Sequence, residues 1–83
     1  MRYIKDIPNN QFKIGLFNWN NKYIIKIESG MYEQIYKIDA YEIDDESELA
    51  RIFDDTFIKS VKSRFEMMHS DCNLSLKRNE IMF

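Results

Sequence analysis

The dipeptide Asn20-Asn21 constrains this sequence more than any other feature, because it separates two runs that match as β-strands. Asparagine tolerates the positive φ that a two-residue type I′ hairpin turn requires. With these two residues as the loop, the flanking strands align in chemically sensible pairs: Trp19 with Lys22, Phe17 with Ile24, Leu16 with Ile25, Ile14 with Ile27, and Lys13 with Glu28. The sequence therefore predicts an antiparallel hairpin over residues 12–28.

This register makes both faces of the hairpin apolar. The two sets are Ile14, Leu16, Tyr23, Ile25 and Ile27 on one face, and Phe17, Trp19 and Ile24 on the other. A sheet with two apolar faces needs a covering layer on each. A chain of 83 residues supplies enough helix for one cover, so the second face predicts association with another molecule.

Two further segments extend the predicted hairpin. Residues 3–7 are short and apolar-rich and are closed by Pro8-Asn9-Asn10, which predicts an edge strand or an arm lying on the sheet. Ser29-Gly30 predicts a second tight turn, after which residues 32–40 form a strand with Tyr32 opposite Ile27. The strands then form an antiparallel meander.

Capping signals and periodicity predict two helices after the strands. Asp45 and Glu48 fit a capping box, in which the first side chain accepts from the backbone N–H of the second residue. Asp54-Asp55 suits a helix start better than a helix end, so a second helix begins near Thr56. Its apolar side chains recur at steps of 3, 4, 3 and 4, at Ile58, Val61, Phe65, Met68 and Cys72.

The predicted fold class is α+β. It comprises a three-stranded antiparallel β-meander, with residues 3–7 as an extra N-terminal edge strand, followed by a short and a long α-helix on one face. The chain is one domain of residues 1–83, with strands at about 12–40 and helices at about 46–79. The predicted core comprises Ile14, Leu16, Ile25, Ile27, Leu49, Ile52, Phe53, Val61, Phe65 and Met68.

The long helix is predicted to outrun the sheet, because its length at about 1.5 Å per residue exceeds that of an eight-residue strand. Its overhang carries Met67, Leu74 and Ile81 at a spacing of seven, opposite the apolar seam. The sequence ends in Ile81-Met82-Phe83, which adds to the apolar surface.

Composition and charge narrow the classes of function. The content of 45% hydrophobic and 31% charged residues is typical of a globular protein, and no apolar run is long enough to cross a membrane. The single Cys72 and the lack of a secretory pattern in residues 1–11 predict a cytoplasmic setting. The net charge is −2, and eight acids lie in residues 39–55, so neither end has the dense basic stripe of a dedicated nucleic-acid binder.

No constellation of side chains predicts catalysis, a cofactor or a metal centre. His69 and Cys72 lie one helical turn apart, but two ligands do not make a metal site, and Cys72 falls in the apolar seam. A homodimer would supply two of each, which keeps a metal open as an alternative. The acids of residues 44–48 lack the glycine of a calcium loop and suit a helix start. A non-enzyme is predicted; if a pocket exists, His69 and Cys72 are its first candidates.

The surplus apolar surface predicts a self-associating protein-interaction or adaptor module. A two-fold homodimer is the commonest closed form of self-association, and a further protein partner stays unidentified. The predicted interaction surface draws on the sheet and the long helix: Phe17, Trp19, Ile24, Ile35, Met67, Leu74 and Ile81.

The alternative hypothesis is binding of single-stranded nucleic acid. Phe17 and Trp19 beside Lys22 and Lys26 have the composition of a stacking platform, with aromatic rings for bases and lysines for phosphates. The competing interpretation is a hydrophobic surface covered by another subunit, with Trp19 and Lys22 as a cation–π pair. The negative net charge favours the covered surface over nucleic acid.

Overall fold

A four-stranded antiparallel sheet in the order β1-β2-β3-β4 organises the structure, a computed structural model that describes residues 1–81. The elements in chain order are β1 (Arg2–Ile7), β2 (Lys13–Trp19), β3 (Lys22–Ser29), β4 (Tyr32–Asp39), a single 3₁₀ turn (Ala40–Glu42), α1 (Ser47–Arg51) and α2 (Asp55–Arg78). The α+β class, the meander and the extra N-terminal strand are confirmed.

The first hairpin forms as predicted. Asn20 and Asn21 have φ values of 56° and 61°, as both loop positions of a type I′ turn require. The register between β2 and β3 contains every predicted pair, from Trp19 with Lys22 at the turn to Lys13 with Glu28 at the far end.

The second hairpin differs from its prediction by two residues. Its loop is Gly30-Met31, so Tyr32 pairs with Ser29, and the predicted pairing with Ile27 is wrong. Gly30 has a φ of 59° and occupies the first loop position, where a type II′ turn places its glycine. Because the shift is two residues and side chains alternate with period two, each side chain of β4 keeps its predicted face.

The shifted register exchanges one like-charge pair for another. The predicted register opposed Lys22 to Lys37, whereas the structure opposes Lys22 to Asp39. The like-charge pair of the observed register lies near the turn, where Glu28 is opposite Glu33. Opposite charges across a strand pair stabilise it and like charges destabilise it, each by a fraction of a kcal/mol to about 1 kcal/mol.

A bulge changes the phase of β1. The register jumps between Tyr3 and Lys5, which leaves Ile4 as an extra residue opposite β2. Ile4 and Ile7 consequently both pack toward the hydrophobic core, while Tyr3 packs against Phe17 on the opposite face of the sheet.

An aspartate side chain caps α2, and another bonds to the first residue of α1, whose N-cap is Glu46 and not the predicted Asp45. The Asp54 carboxylate accepts from the backbone N–H of Phe57 at 2.8 Å and caps α2 at the predicted break. Before α1, the Asp45 carboxylate accepts from the Ser47 N–H at 3.2 Å, which lowers the pKa of Asp45. The predicted bond to the Glu48 N–H is wrong, since that group donates to the Asp45 backbone carbonyl at 2.9 Å.

A buried glutamine ties α2 to the sheet. Gln34 of β4 is 8% exposed, and its Nε2 donates to the backbone carbonyl of Val61 at 3.0 Å. The Tyr36 hydroxyl donates to Gln34 Oε1 at 3.2 Å, and the Tyr36 ring meets Phe57 edge-on at 5.4 Å. The polar atoms of this buried side chain are therefore satisfied, and α2 runs over the face that β4 shares with the core.

The core lies between this inner face and the two helices. Its buried members are Ile7, Ile14, Leu16, Ile25, Ile27, Leu49, Val61 and Phe65. Phe53 and Met68 are partly buried against it, but Ile52 is 37% exposed and its predicted core role is wrong. Ile52 follows the last residue of α1, a helix so short that Leu49 alone reaches the core.

The C-terminal turns of α2 pass the end of the sheet. At about 1.5 Å per residue the helix is about 36 Å long, and His69 already packs against Tyr32, the first residue of β4. Cys72 is exposed as a result, so its predicted place in the buried seam is wrong. Leu74 is also exposed, as predicted for the overhang.

The helix ends in a Schellman motif with an unfavourable residue in its left-handed position. The Glu80 N–H donates to the Lys77 carbonyl at 3.1 Å, and the Ile81 N–H donates to the Leu76 carbonyl at 2.9 Å. Glu80 has a φ of 57°, a conformation in which a residue with a Cβ is strained.

Replacing Leu16 by Ala is expected to lower the free energy of unfolding by about 3 to 5 kcal/mol, because it leaves a cavity where Leu16 is 0% exposed. Ile52→Ala is the control and is expected to lower it by only about 1 kcal/mol, because this side chain is partly exposed and lies outside the core. Urea unfolding measures both variants. Equal losses in the two would contradict the assignment of the core.

Glu80→Gly is expected to raise the free energy of unfolding by about 1 kcal/mol, because glycine adopts a positive φ without strain. The same substitution at Glu66, an exposed residue inside α2, is expected to lower it by about 1 kcal/mol. Thermal unfolding of the two variants compares them directly. A loss of stability in Glu80→Gly would contradict the strained helix end.

Candidate functional site

The face of the sheet opposite the helices carries exposed apolar side chains. Trp19, Tyr3 and Ile35 are 54%, 55% and 49% exposed. Phe17 is half-buried and Ile24 is only 3% exposed, although both belong to the same face. Of the predicted sheet residues, Trp19 and Ile35 are therefore available for contact, while Phe17 and Ile24 mainly support them.

Phe17 is enclosed by its neighbours on this face. Its ring meets Tyr3 edge-on at 5.5 Å, and the Lys26 ammonium lies 5.1 Å from the ring centroid. A Cβ at Gly15 would lie 3.0 Å from Phe17 Cε1, so glycine makes room for the ring. The cation–π pair on this face is Lys26 with Phe17, in place of the predicted Trp19 with Lys22.

The charges on this face balance. By alternation along each strand, the register places four lysines and four acids here: Lys13, Lys22, Lys26 and Lys37, with Asp6, Glu28, Glu33 and Asp39. Lys13 Nζ lies 3.9 Å from Glu28 Oε2 at an exposed position, which contributes little to stability. The Tyr3 hydroxyl donates to Asp6 Oδ1 at 2.9 Å, and this bond raises the pKa of Tyr3.

Exposed apolar side chains of the sheet and of α2 meet at the β4 edge. Ile35 and Met67, which is 54% exposed, line one cleft of about 470 Å³. The rest of its lining comprises Gln34, Tyr36 and Met68 and the charged residues Arg64 and Asp71. The sequence did not predict that Arg64 and Asp71 belong to this site, because their helix spacing alone does not show which side β4 occupies.

The remaining predicted interaction residues lie apart from this cleft. Leu74 is 52% exposed and Ile81 is 69% exposed, and neither lines it. Met82 and Phe83 of the predicted apolar end lie outside the described residues. The predicted surface therefore has separate parts: Ile35 and Met67 lie at the β4 edge, and Leu74 and Ile81 lie at the end of α2.

A wider groove of about 980 Å³ lies between the overhanging part of α2 and the β3–β4 turn. Its apolar lining includes Phe12, Met31, Phe65 and Leu76. His69 and Cys72 also line it, so the two residues that the sequence selected for a pocket do share one.

The two ring nitrogens of His69 are engaged by residues other than Cys72. Nδ1 lies 3.2 Å from the Tyr32 hydroxyl, and Nε2 lies 3.0 Å from Asn73 Nδ2. If the Asn73 amide donates to Nε2, the neutral ring carries its proton on Nδ1 and donates to Tyr32. Partial burial raises the pKa of Tyr32, and the adjacent Cys72 side chain adds to the rise.

Among the described residues, His69 does not face Cys72 in this groove. A cysteine nucleophile needs a base directed at its sulfur, and His69 is held by Tyr32 and Asn73 instead. Within residues 1–81, no group of three or more His, Cys, Asp or Glu side chains is arranged to hold a metal ion.

No family model, curated protein or solved structure matches this chain. In the described part of the chain, no helix has the length and apolar character needed to cross a membrane.

Proposed function

We propose that this protein is a non-enzymatic protein-interaction module that pairs with a second copy of itself, as a two-fold homodimer with an adaptor or regulatory role. One observation carries the proposal. Ile35 and Met67 were predicted as contact residues from separate elements, and they line a single cleft at the β4 edge.

The chemistry of the sheet face supports a protein as the occupant. Exposed apolar side chains in one area are typical of protein-binding surfaces, and closed two-fold pairing is the commonest way to bury them. The outer face carries equal numbers of lysines and acids, so it does not repel a second copy of the same chain.

The same features weaken the nucleic-acid alternative. A strand of nucleic acid on Phe17 and Trp19 would meet four acids as well as four lysines. Lys26 also occupies one side of the Phe17 ring, where a base would stack. The proposal includes a cytoplasmic setting, where a free cysteine such as Cys72 is usual.

Light scattering on the wild type, Ile35→Glu and Leu74→Glu tests the proposal. Ile35 and Leu74 are matched, at 49% and 52% exposed, and differ in whether they line the cleft. The wild type and Leu74→Glu are expected to have twice the chain mass at micromolar concentration. Ile35→Glu is expected to be a monomer, because the two glutamates would lie directly opposite each other in the contact and repel.

Two results would contradict this proposal. A wild type that stays monomeric up to high micromolar concentration would exclude the homodimer. If it also bound a labelled single strand with an affinity that falls steeply as salt rises, nucleic-acid binding would replace it. Dissociation by Leu74→Glu alone would move the contact to the end of α2.

A further inference from the structure

The free edge of β4 has the properties of a docking strand for a second copy of this chain. We infer that two chains align β4 against β4 in antiparallel orientation, about a two-fold axis at Ile35. The two four-stranded sheets would then continue as one sheet of eight strands. This inference rests on the proposed self-association and specifies its contact.

The first step is that β4 presents unpaired backbone groups. A two-residue hairpin loop is flanked by a hydrogen-bonded pair, here Ser29 with Tyr32, and such pairs recur at every second residue. The backbone N–H and C=O groups of Glu33, Ile35 and Lys37 therefore point away from β3. Within residues 1–81, no other strand pairs with β4, and no backbone bond from a turn, loop or cap reaches these three residues.

The second step is that the opposite edge of the sheet is protected, whereas this edge is not. β1 has six residues, carries a bulge at Ile4 and is followed by Pro8, all of which discourage pairing with a further strand. β4 has eight residues paired without a register shift. A regular edge strand with a half-exposed isoleucine at its centre is a site for strand addition.

The third step is the charge pattern along this edge. A two-fold axis at Ile35 sets Ile35 against its own copy and Glu33 against Lys37 of the second copy, twice per dimer. An axis at Glu33 would oppose two glutamates, and an axis at Lys37 would oppose two lysines. The strand is therefore self-complementary in this register.

The fourth step is that the inner side of the edge has space for the second chain. In the same register, Gln34 lies opposite Tyr36 of the second copy, and both side chains point to the helix side. The cleft of about 470 Å³ beside β4 lies on that side, with Met67 exposed in it. Tyr36 of each copy stays bonded to its own Gln34, so the second chain would lie over the open side of the cleft and cover Met67.

A charge-exchange experiment tests the register. Glu33→Lys and Lys37→Glu each place like charges at both contacts, so each variant alone is expected to dimerise roughly tenfold or more weakly than the wild type. An equimolar mixture of the two is expected to regain the wild-type affinity as a heterodimer, because positions 33 and 37 then carry opposite charges at both contacts. The double variant is expected to regain it as a homodimer. Sedimentation equilibrium measures both single variants, their mixture and the double variant.

Lys13→Glu is the control for Lys37→Glu, since it makes the same charge change on the same face but on β2, away from the β4 edge. It is expected to dimerise like the wild type. Unfolding does not explain a loss in Glu33→Lys, because that change replaces the like-charge pair with Glu28 by an opposite-charge pair. Circular dichroism of each variant verifies the fold.

The possible results separate this inference from the proposed function. If the wild type does not dimerise, both the pairing at β4 and the proposed self-association are wrong. A wild type that dimerises while Glu33→Lys and Lys37→Glu match Lys13→Glu overturns pairing at the β4 edge and leaves self-association standing. Weakening in both single variants without recovery in their mixture overturns the two-fold register at Ile35.

Discussion

Backbone hydrogen bonding across a meander is the constraint on which the rest of this structure depends. Each strand pairs with its neighbours in chain order, so the first and last strands have one unpaired side each. The chain after β4 could cover an edge or a face. Because α2 is held over the inner face by the bond from Gln34 to Val61, the core is completed and the β4 edge stays open.

The two helices of this chain cover only one of the two faces of the sheet. The inner face is covered by Leu49 of α1 and by Val61 and Phe65 of α2, and it contains the buried core. On the outer face, Tyr3 and Lys26 pack around Phe17 and partly shield its ring from solvent. Trp19 and Ile35 stay about half exposed on this face, and of the two only Ile35 lies on the β4 edge.

Local chemistry made part of this fold predictable from sequence. Asn20-Asn21 predicted a two-residue turn with a positive φ at both positions. That turn sets the register of β2 and β3, so every predicted pair was correct. The next turn was ambiguous, because Gly30 fits either loop position. The observed loop needs a positive φ at Gly30 only, whereas a type I′ turn at Ser29-Gly30 would also need one at Ser29.

Other features depend on contacts that no local pattern encodes. Strict alternation places Tyr3 on the face of Ile7, and the bulge at Ile4 reverses this. The helical seam included Cys72, but the helix passes the end of the sheet there, beside Tyr32, and leaves Cys72 exposed. The contact residues Ile35 and Met67 were predicted individually; their meeting at one edge follows from where α2 crosses β4.

Amide hydrogen exchange along β4, followed residue by residue with NMR over a range of protein concentrations, tests the open edge most directly. Tyr32, Gln34 and Tyr36 bond to β3 and are expected to be protected at every concentration. Glu33, Ile35 and Lys37 are expected to exchange freely in dilute protein and to gain protection as the dimer forms. Protection of these three residues that does not change with concentration would contradict the open, self-pairing edge.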